Sequence, residues 1–193
     1  DIDNVIRLAL KHLDAPQKAF DLVRKINSTI GAKMVATYCT RIGDFELAIE
    51  FLLMAKLDAQ AFDRARKHGK MKIYAKALGD NASNEQYLQL AKYFENTEKD
   101  LASAAEFYQK CELFDKAMNL YIQCGESNIE QAIGVVKAAG AQKSKDSVRL
   151  VRELHDYLSG EVDGKLKDPK HIYQLYMAIG NHEDASKTAI IIA

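Results

Sequence analysis

Apolar residues recur along this chain at helical period, in short stretches separated by turn residues. Leu88, Leu90, Ala91 and Phe94 form one such stretch, and Ala104, Phe107, Tyr108 and Cys111 another. Spacings of three and four place residues on one face of a helix. No segment shows the sustained alternation of a half-buried strand. Glycines punctuate the helical stretches at Gly43, Gly69, Gly79, Gly125, Gly140, Gly160 and Gly180, as expected where a chain leaves a helix through the left-handed region. Start signals interleave with them. Asp14 with Gln17, Ser83 with Gln86, and Ser127 with Glu130 read as capping boxes. Asp168-Pro169 sets a cap residue before a proline at the first helical position. The pattern predicts helices over 2–13, 15–26, 29–42, 45–56, 58–68, 70–79, 84–96, 99–111, 114–124, 128–139, 146–159, 169–179 and 182–193.

One spacing recurs three times. Ala105, Tyr108, Ala117 and Tyr121 set it out; Ala36, Cys39, Ala48 and Leu52 repeat it; Tyr173, Tyr176, Ala185 and Ala189 repeat it with the first small residue lost. Gly43 and Gly180 fall five residues before the second alanine, and Glu112 takes that place in the middle copy. Small residues let helix backbones approach, and rings fill the space beside them. Internal repeats of this kind signal stacked helix pairs. The predicted fold is all-α: a right-handed α-solenoid of antiparallel, tetratricopeptide-like helix pairs. It is read as a single solenoid over 1–193, with Ser159–Lys167 as a flexible loop or a seam between groups of repeats. The chain starts without methionine and stops within the apolar run Ala189–Ala193, so it is expected to be a fragment of a larger protein. Ile190, Ile191 and Ile192 would then meet a further helix, and in isolation would favour end-to-end self-association.

Composition narrows the function. The 193 residues carry 27 basic and 27 acidic side chains, a formal net charge of zero. That argues against nucleic acid as the main ligand, because phosphate binding needs a positive surplus. Cys39, Cys111 and Cys124 are odd in number and lack CxxC spacing, which argues against a disulfide framework and for a reducing compartment. No apolar run approaches the roughly 20 residues that span a bilayer, so no direct membrane insertion is expected.

Candidate chemistry dissolves on inspection. Gly160–Leu166 has three residues between glycine and Gly-Lys where a phosphate loop needs four, and Leu166 stands where Ser or Thr should hold magnesium. His12, His68, His155, His171 and His182 show no i, i+4 pairing for zinc. His155 beside Asp156 points elsewhere on a helix, and His68 reads as a partner of helix-end carbonyls. The cysteines fall among packing positions. The tyrosines, at 38, 74, 87, 93, 108, 121, 157, 173 and 176, could form a peptide-binding stripe but read better as packing between helices; Tyr38 and Tyr93, next to Cys39 and Phe94, are the candidates for exposure. Arg64-Ala65-Arg66-Lys67 and Lys165-Leu166-Lys167 read as solvated faces. No catalytic, cofactor-binding or metal-binding residue is assigned, no cofactor is expected, and the chain is read as not an enzyme.

The wording of several segments goes further. AKYFEN (Ala91–Asn96), AAEFYQKCELFDKAMNLYIQCG (Ala104–Gly125), DPKHIYQLYMAIGNHEDASKTAIIIA (Asp168–Ala193) and MVATYCTRIGDFELAIEFLLMAK (Met34–Lys56) resemble the helical half of the large WD-repeat subunits of intraflagellar transport complex A. The resemblance implies a non-enzymatic scaffold in a ciliary transport train. That train supports retrograde transport, entry of cargo into cilia and cilium assembly. It also implies other subunits of the complex as protein partners, and a location at the cilium, the ciliary base and the cytoskeleton-associated cytoplasm. The zinc-binding tail often found in such subunits has no counterpart here. Two alternatives share the architecture: a vesicle-coat-type trafficking solenoid outside the cilium, and a generic tetratricopeptide peptide-binding module, for which no repeated carboxylate clamp is visible.

Overall fold

A computed structural model describes residues 2–11 and 16–192. Among them lie thirteen α-helices and no strand, an all-α solenoid. The helices are α1 Ile2–Lys11, α2 Pro16–Ile26, α3 Thr29–Ile42, α4 Phe45–Met54, α5 Asp58–Lys67, α6 Met71–Leu78, α7 Asn84–Tyr93, α8 Leu101–Lys110, α9 Phe114–Gln123, α10 Ile129–Ala141, α11 Ser147–Leu158, α12 Pro169–Ala178 and α13 His182–Ile192. The chain forms two compact units, 1–82 and 83–193. In the first, each helix from α1 to α6 packs on the next, and α1 also meets α3 while α4 meets α6. In the second, α7 to α13 pack in order and α10 also meets α12.

The three copies of the spacing coincide with the three most extensively packed helix pairs, α3/α4, α8/α9 and α12/α13. One turn builds all three. The amides of Asp44, Leu113 and Asn181 donate to the carbonyls of Cys39, Tyr108 and Tyr176 at 2.9, 3.0 and 2.9 Å. Gly43, Glu112 and Gly180, just before them, sit at φ 81°, 62° and 76°. This is the Schellman closure of the first helix. The carbonyls of Asp44, Leu113 and Asn181 then accept from the amides of Ala48, Ala117 and Ala185 at 3.0, 3.0 and 3.1 Å, opening the second helix. One residue thus closes one helix and starts the next. Glu112 adopts the left-handed region without glycine's freedom, at a cost of roughly 1–2 kcal/mol.

Burial follows the spacing in two copies. Ala36, Cys39, Ala48 and Leu52 are buried, as are Ala105, Tyr108, Ala117 and Tyr121. The third copy departs from it: Tyr173 and Tyr176 are half-buried, Ala185 is buried, and Ala189 is exposed while Thr188 is buried instead, its hydroxyl donating to the Asp184 carbonyl at 2.8 Å. That bond lets a polar side chain face the core without an unpaired group.

The structure settles the caps one by one. Ser83 and Gln86 form the reciprocal capping box, and Asp168 caps α12 from its side chain with Pro169 behind it. Ser127 and Glu130 do not form a box. Residues Glu126–Asn128 make a 3₁₀ turn instead, and Asn128 takes the cap position without a side-chain bond. The Asp14 box lies outside the described residues. Gly140 does not end its helix: α10 continues to Ala141, and Lys143 takes the left-handed turn at φ 53°. Residues Phe94–Glu98 widen into a π-turn, so the helical stretch does not run evenly to Asn96.

Gly31 sets how closely α3 lies against α1 and α2. A Cβ there would come within 2.7 Å of Ile6 Cδ1 and 2.9 Å of Val23 Cγ2, whereas one at Gly134 on α10 would meet nothing within 4 Å. The two glycines should therefore respond oppositely in urea denaturation. Gly31→Ala should lower stability by about 1–3 kcal/mol through overpacking. Gly134→Ala should raise it by up to about 1 kcal/mol through helix propensity.

Candidate protein-interaction site

Two grooves between helix surfaces offer binding geometry. The first groove belongs to α1 and α3. Arg7, Leu10 and Lys11 line it from α1, and Met34, Thr37, Tyr38 and Arg41 from α3. Helical spacing of three and four puts each set on one face. Leu10, Met34 and Tyr38 are half-buried and make an apolar floor, while Arg7, Lys11 and Arg41 are exposed at the rim. The Arg41 guanidinium lies 5.5 Å from the Tyr38 ring centre, and Arg7 donates to the Asn4 carboxamide at 2.7 Å. The space is about 280 Å³. That is just under the range of about 300–1,000 Å³ typical of small-molecule pockets.

The second groove lies in the other unit, between the π-turn and helices α8 and α9. Its walls include Glu95, Asn96, Lys99, Asp115, Lys116, Asn119 and Gln123. At its head Tyr108 donates its hydroxyl to Glu95 at 2.5 Å. Lys116 donates to Glu95 and to the Tyr108 oxygen, both at 2.8 Å. The Lys116 ammonium also lies 4.2 Å from the Tyr108 ring centre. The hydrogen bond from Lys116, then that from Tyr108, holds the Glu95 carboxyl below the usual glutamate range. Burial, and then the bond to Glu95, pushes the Tyr108 hydroxyl up. Every member of this triad is thus partnered within it.

Several cations elsewhere are tied to carboxylates of another helix. Arg24 on α2 meets Glu50 on α4 at 3.0 Å, Lys70 meets Glu46 at 2.7 Å, and Arg149 on α11 meets Asp115 on α9 at 3.0 Å. The Lys165–Lys167 group is not a uniformly solvated face, contrary to the sequence reading. Lys167 is 6% exposed, bonds Asp163 at 2.6 Å and sits 4.8 Å from the Tyr157 ring centre. Its amide donates to the Leu158 carbonyl at 3.1 Å, and Gly160 leaves no room for a side chain against the 165–166 backbone. Residues 159–167 therefore fold back on themselves at the end of α11.

The other singled-out residues are placed individually. His68 stacks on Phe45 with ring centres 3.5 Å apart instead of capping carbonyls. His155 does reach Asp156, at 3.6 Å, and tilts against Tyr176; His171 pairs with Gln174 at 3.0 Å. His12 lies outside the described residues. Among the described residues no three His, Cys, Asp or Glu side chains cluster as a metal site, and no helix is long and apolar enough to cross a membrane. Burial pushes the Cys39 thiol up to about 11, and also raises Cys111 and Cys124. A raised thiol pKa disfavours the reactive thiolate. Tyr74, Tyr87, Tyr108 and Tyr121 are buried and the other five tyrosines are half-buried, Tyr38 and Tyr93 among them. Arg7, Lys11, Arg41, Glu95 and Lys116 were not singled out by sequence. Their meaning lies in contacts across helices, and in the π-turn that carries Glu95.

The triad predicts a pH response. A lowered folded pKa means that Glu95 contributes stability above its ordinary value of 4.5, and that this is lost as pH falls through the folded value. Acid titration followed by circular dichroism should therefore show the parent losing more stability below about pH 4.5 than Glu95→Gln does.

No family model matches the chain. Over 195 residues it is 42% identical to human WD repeat-containing protein 19, covering 98% of this chain and 14% of that protein. The mouse protein of the same name is 41% identical over 196 residues. WD repeat-containing protein dyf-2 of Caenorhabditis elegans is 37% identical over 193 residues, again 14% of its length. The chain thus spans about a seventh of the length of these relatives. Along its whole length it is similar to one segment of each.

Proposed function

We propose that this chain, a helical segment of the WD repeat-containing protein 19 family, is a non-enzymatic scaffold in intraflagellar transport complex A. It would form a single solenoid segment that holds other subunits of the complex, in support of retrograde transport, cargo entry and cilium assembly. Its place would be the cilium, the ciliary base and the cytoskeleton-associated cytoplasm. The observation that carries this is likeness to one segment of these relatives along the whole chain. The geometry fits it. Helix pairs with packed cores present open surfaces, and such surfaces bind partner helices and loops through a few anchors.

Tagged chain expressed in ciliated cells tests the proposal. Other subunits of the complex should be captured several-fold above a tagged, unrelated helical protein, and the signal should collect at the ciliary base. Capture at background levels, or capture of vesicle-coat proteins alone, would count against it.

The C-terminal face gives a separate expectation. Ile190, Ile191 and Ile192 are 79%, 77% and 46% exposed on α13, an apolar edge that drives association between copies of the isolated chain. Sedimentation over a rising concentration series should show a growing sedimentation coefficient. Ile190→Glu with Ile191→Glu should keep the chain monomeric.

A further inference from the structure

We propose that the α1/α3 groove is a docking site for an acidic, amphipathic segment of a partner protein: a leucine or phenylalanine anchor with Asp or Glu within about one helical turn. This rests on the reading of the chain as an interaction scaffold and gives that reading a partner chemistry. The groove combines an apolar floor with a rim of one sign. Of its seven lining residues Arg7, Lys11 and Arg41 are cationic and none is acidic. Among the described residues none of the three cations has a carboxylate partner. Arg7 bonds a neutral carboxamide, Arg41 lies on the Tyr38 ring, and no ion pair engages Lys11. This departs from Arg24, Lys70, Lys116 and Arg149, each neutralised by a carboxylate from another element. In a chain with zero formal net charge, three such cations around one slot leave a local positive field that a carboxylate would complete.

The shape selects the anchor. A space of about 280 Å³ takes one or two side chains and not a cofactor. Met34 on the floor is flexible and polarisable, so it can adapt to an aliphatic or aromatic guest. Arg41, its guanidinium carbon 5.5 Å from the Tyr38 ring centre, can offer a carboxylate a bidentate bond. Gly31 lets α3 lie close to Ile6 of α1, so the two walls are held in place by the core behind them.

The test uses the whole 193-residue chain and a fluorescein-labelled dodecapeptide with Leu and Phe at i and i+4 among glutamates. Its counterpart has every glutamate replaced by lysine. Fluorescence anisotropy should show the acidic peptide binding at least about tenfold tighter than the basic one, and weakening as salt rises. Arg7→Glu with Arg41→Glu should weaken binding by about tenfold or more. Arg152→Glu in the other unit should leave it unchanged, and the melting temperature of each variant confirms that it is folded. With methyl-labelled methionine, the Met34 signal should shift on binding.

No binding, equal binding of the two peptides, binding that survives the double reversal, or a Met34 signal that stays put would each overturn the proposal. So would binding to phosphatidylserine vesicles without binding to the acidic peptide. Failure here alongside successful capture of complex subunits removes only this groove. Success here with failed capture removes only the ciliary scaffold.

Discussion

The fold depends on a turn in which one backbone residue serves two helices. Asp44, Leu113 and Asn181 each donate an amide to the helix behind and offer a carbonyl to the helix ahead. A helix end otherwise leaves four carbonyls or four amides unsatisfied, and thirteen helices among the described residues multiply that problem. Sharing one residue shortens the connection and fixes the angle at which the chain reverses. The alanine that receives the second bond is then forced close to the preceding helix. That is why Ala48, Ala117 and Ala185 are small and nearly inaccessible to solvent.

The same device occurs where the sequence pattern gave no signal. The Leu57 amide bonds the Leu52 carbonyl and its carbonyl receives the Ala61 amide; Lys70 does the same between Ala65 and Tyr74. Lys56 and Gly69 take the left-handed place before them. The nine-residue step survives in all five turns, but the side chains at its two ends do not. From Leu52 to Ala61 leucine replaces the ring and the small residue keeps its place; from Ala65 to Tyr74 the ring and the small residue change places. A pattern read from residue types finds only the turns where packing also repeats. The turn itself is a backbone motif, and backbone bonds tolerate any residue that accepts the angles.

That difference explains what could be read in advance. The thirteen helices of the described residues were legible, because an amphipathic period and, at many ends, a glycine or a cap are local properties. The misreadings were local features overruled by neighbours. Gly140 stays helical because no turn is needed until Lys143, and Ser127 loses its cap to a 3₁₀ turn. Lys167 sits in a charged run yet is buried, because Asp163 and Tyr157 supply a bond and a ring that sequence distance conceals. The candidate site was less legible still. Arg7 and Arg41 are ordinary surface residues until α1 and α3 lie side by side, and nothing local says that their carboxylates are missing.

Interaction surfaces follow from how charge is disposed over this architecture. Once helix ends are closed by backbone bonds and cores by alanine and rings, charged side chains are free to act between helices. Pairs such as Arg149 with Asp115 use that freedom internally, and exposed pairs of this kind add little to stability. Their larger effect is on recognition, since a neutralised cation offers little field to a partner. Specificity then belongs to the places where the pairing stops. The α1/α3 groove is such a place: its cations face solvent around an apolar floor instead of a carboxylate. A scaffold with zero formal net charge can in this way still present a directed contact.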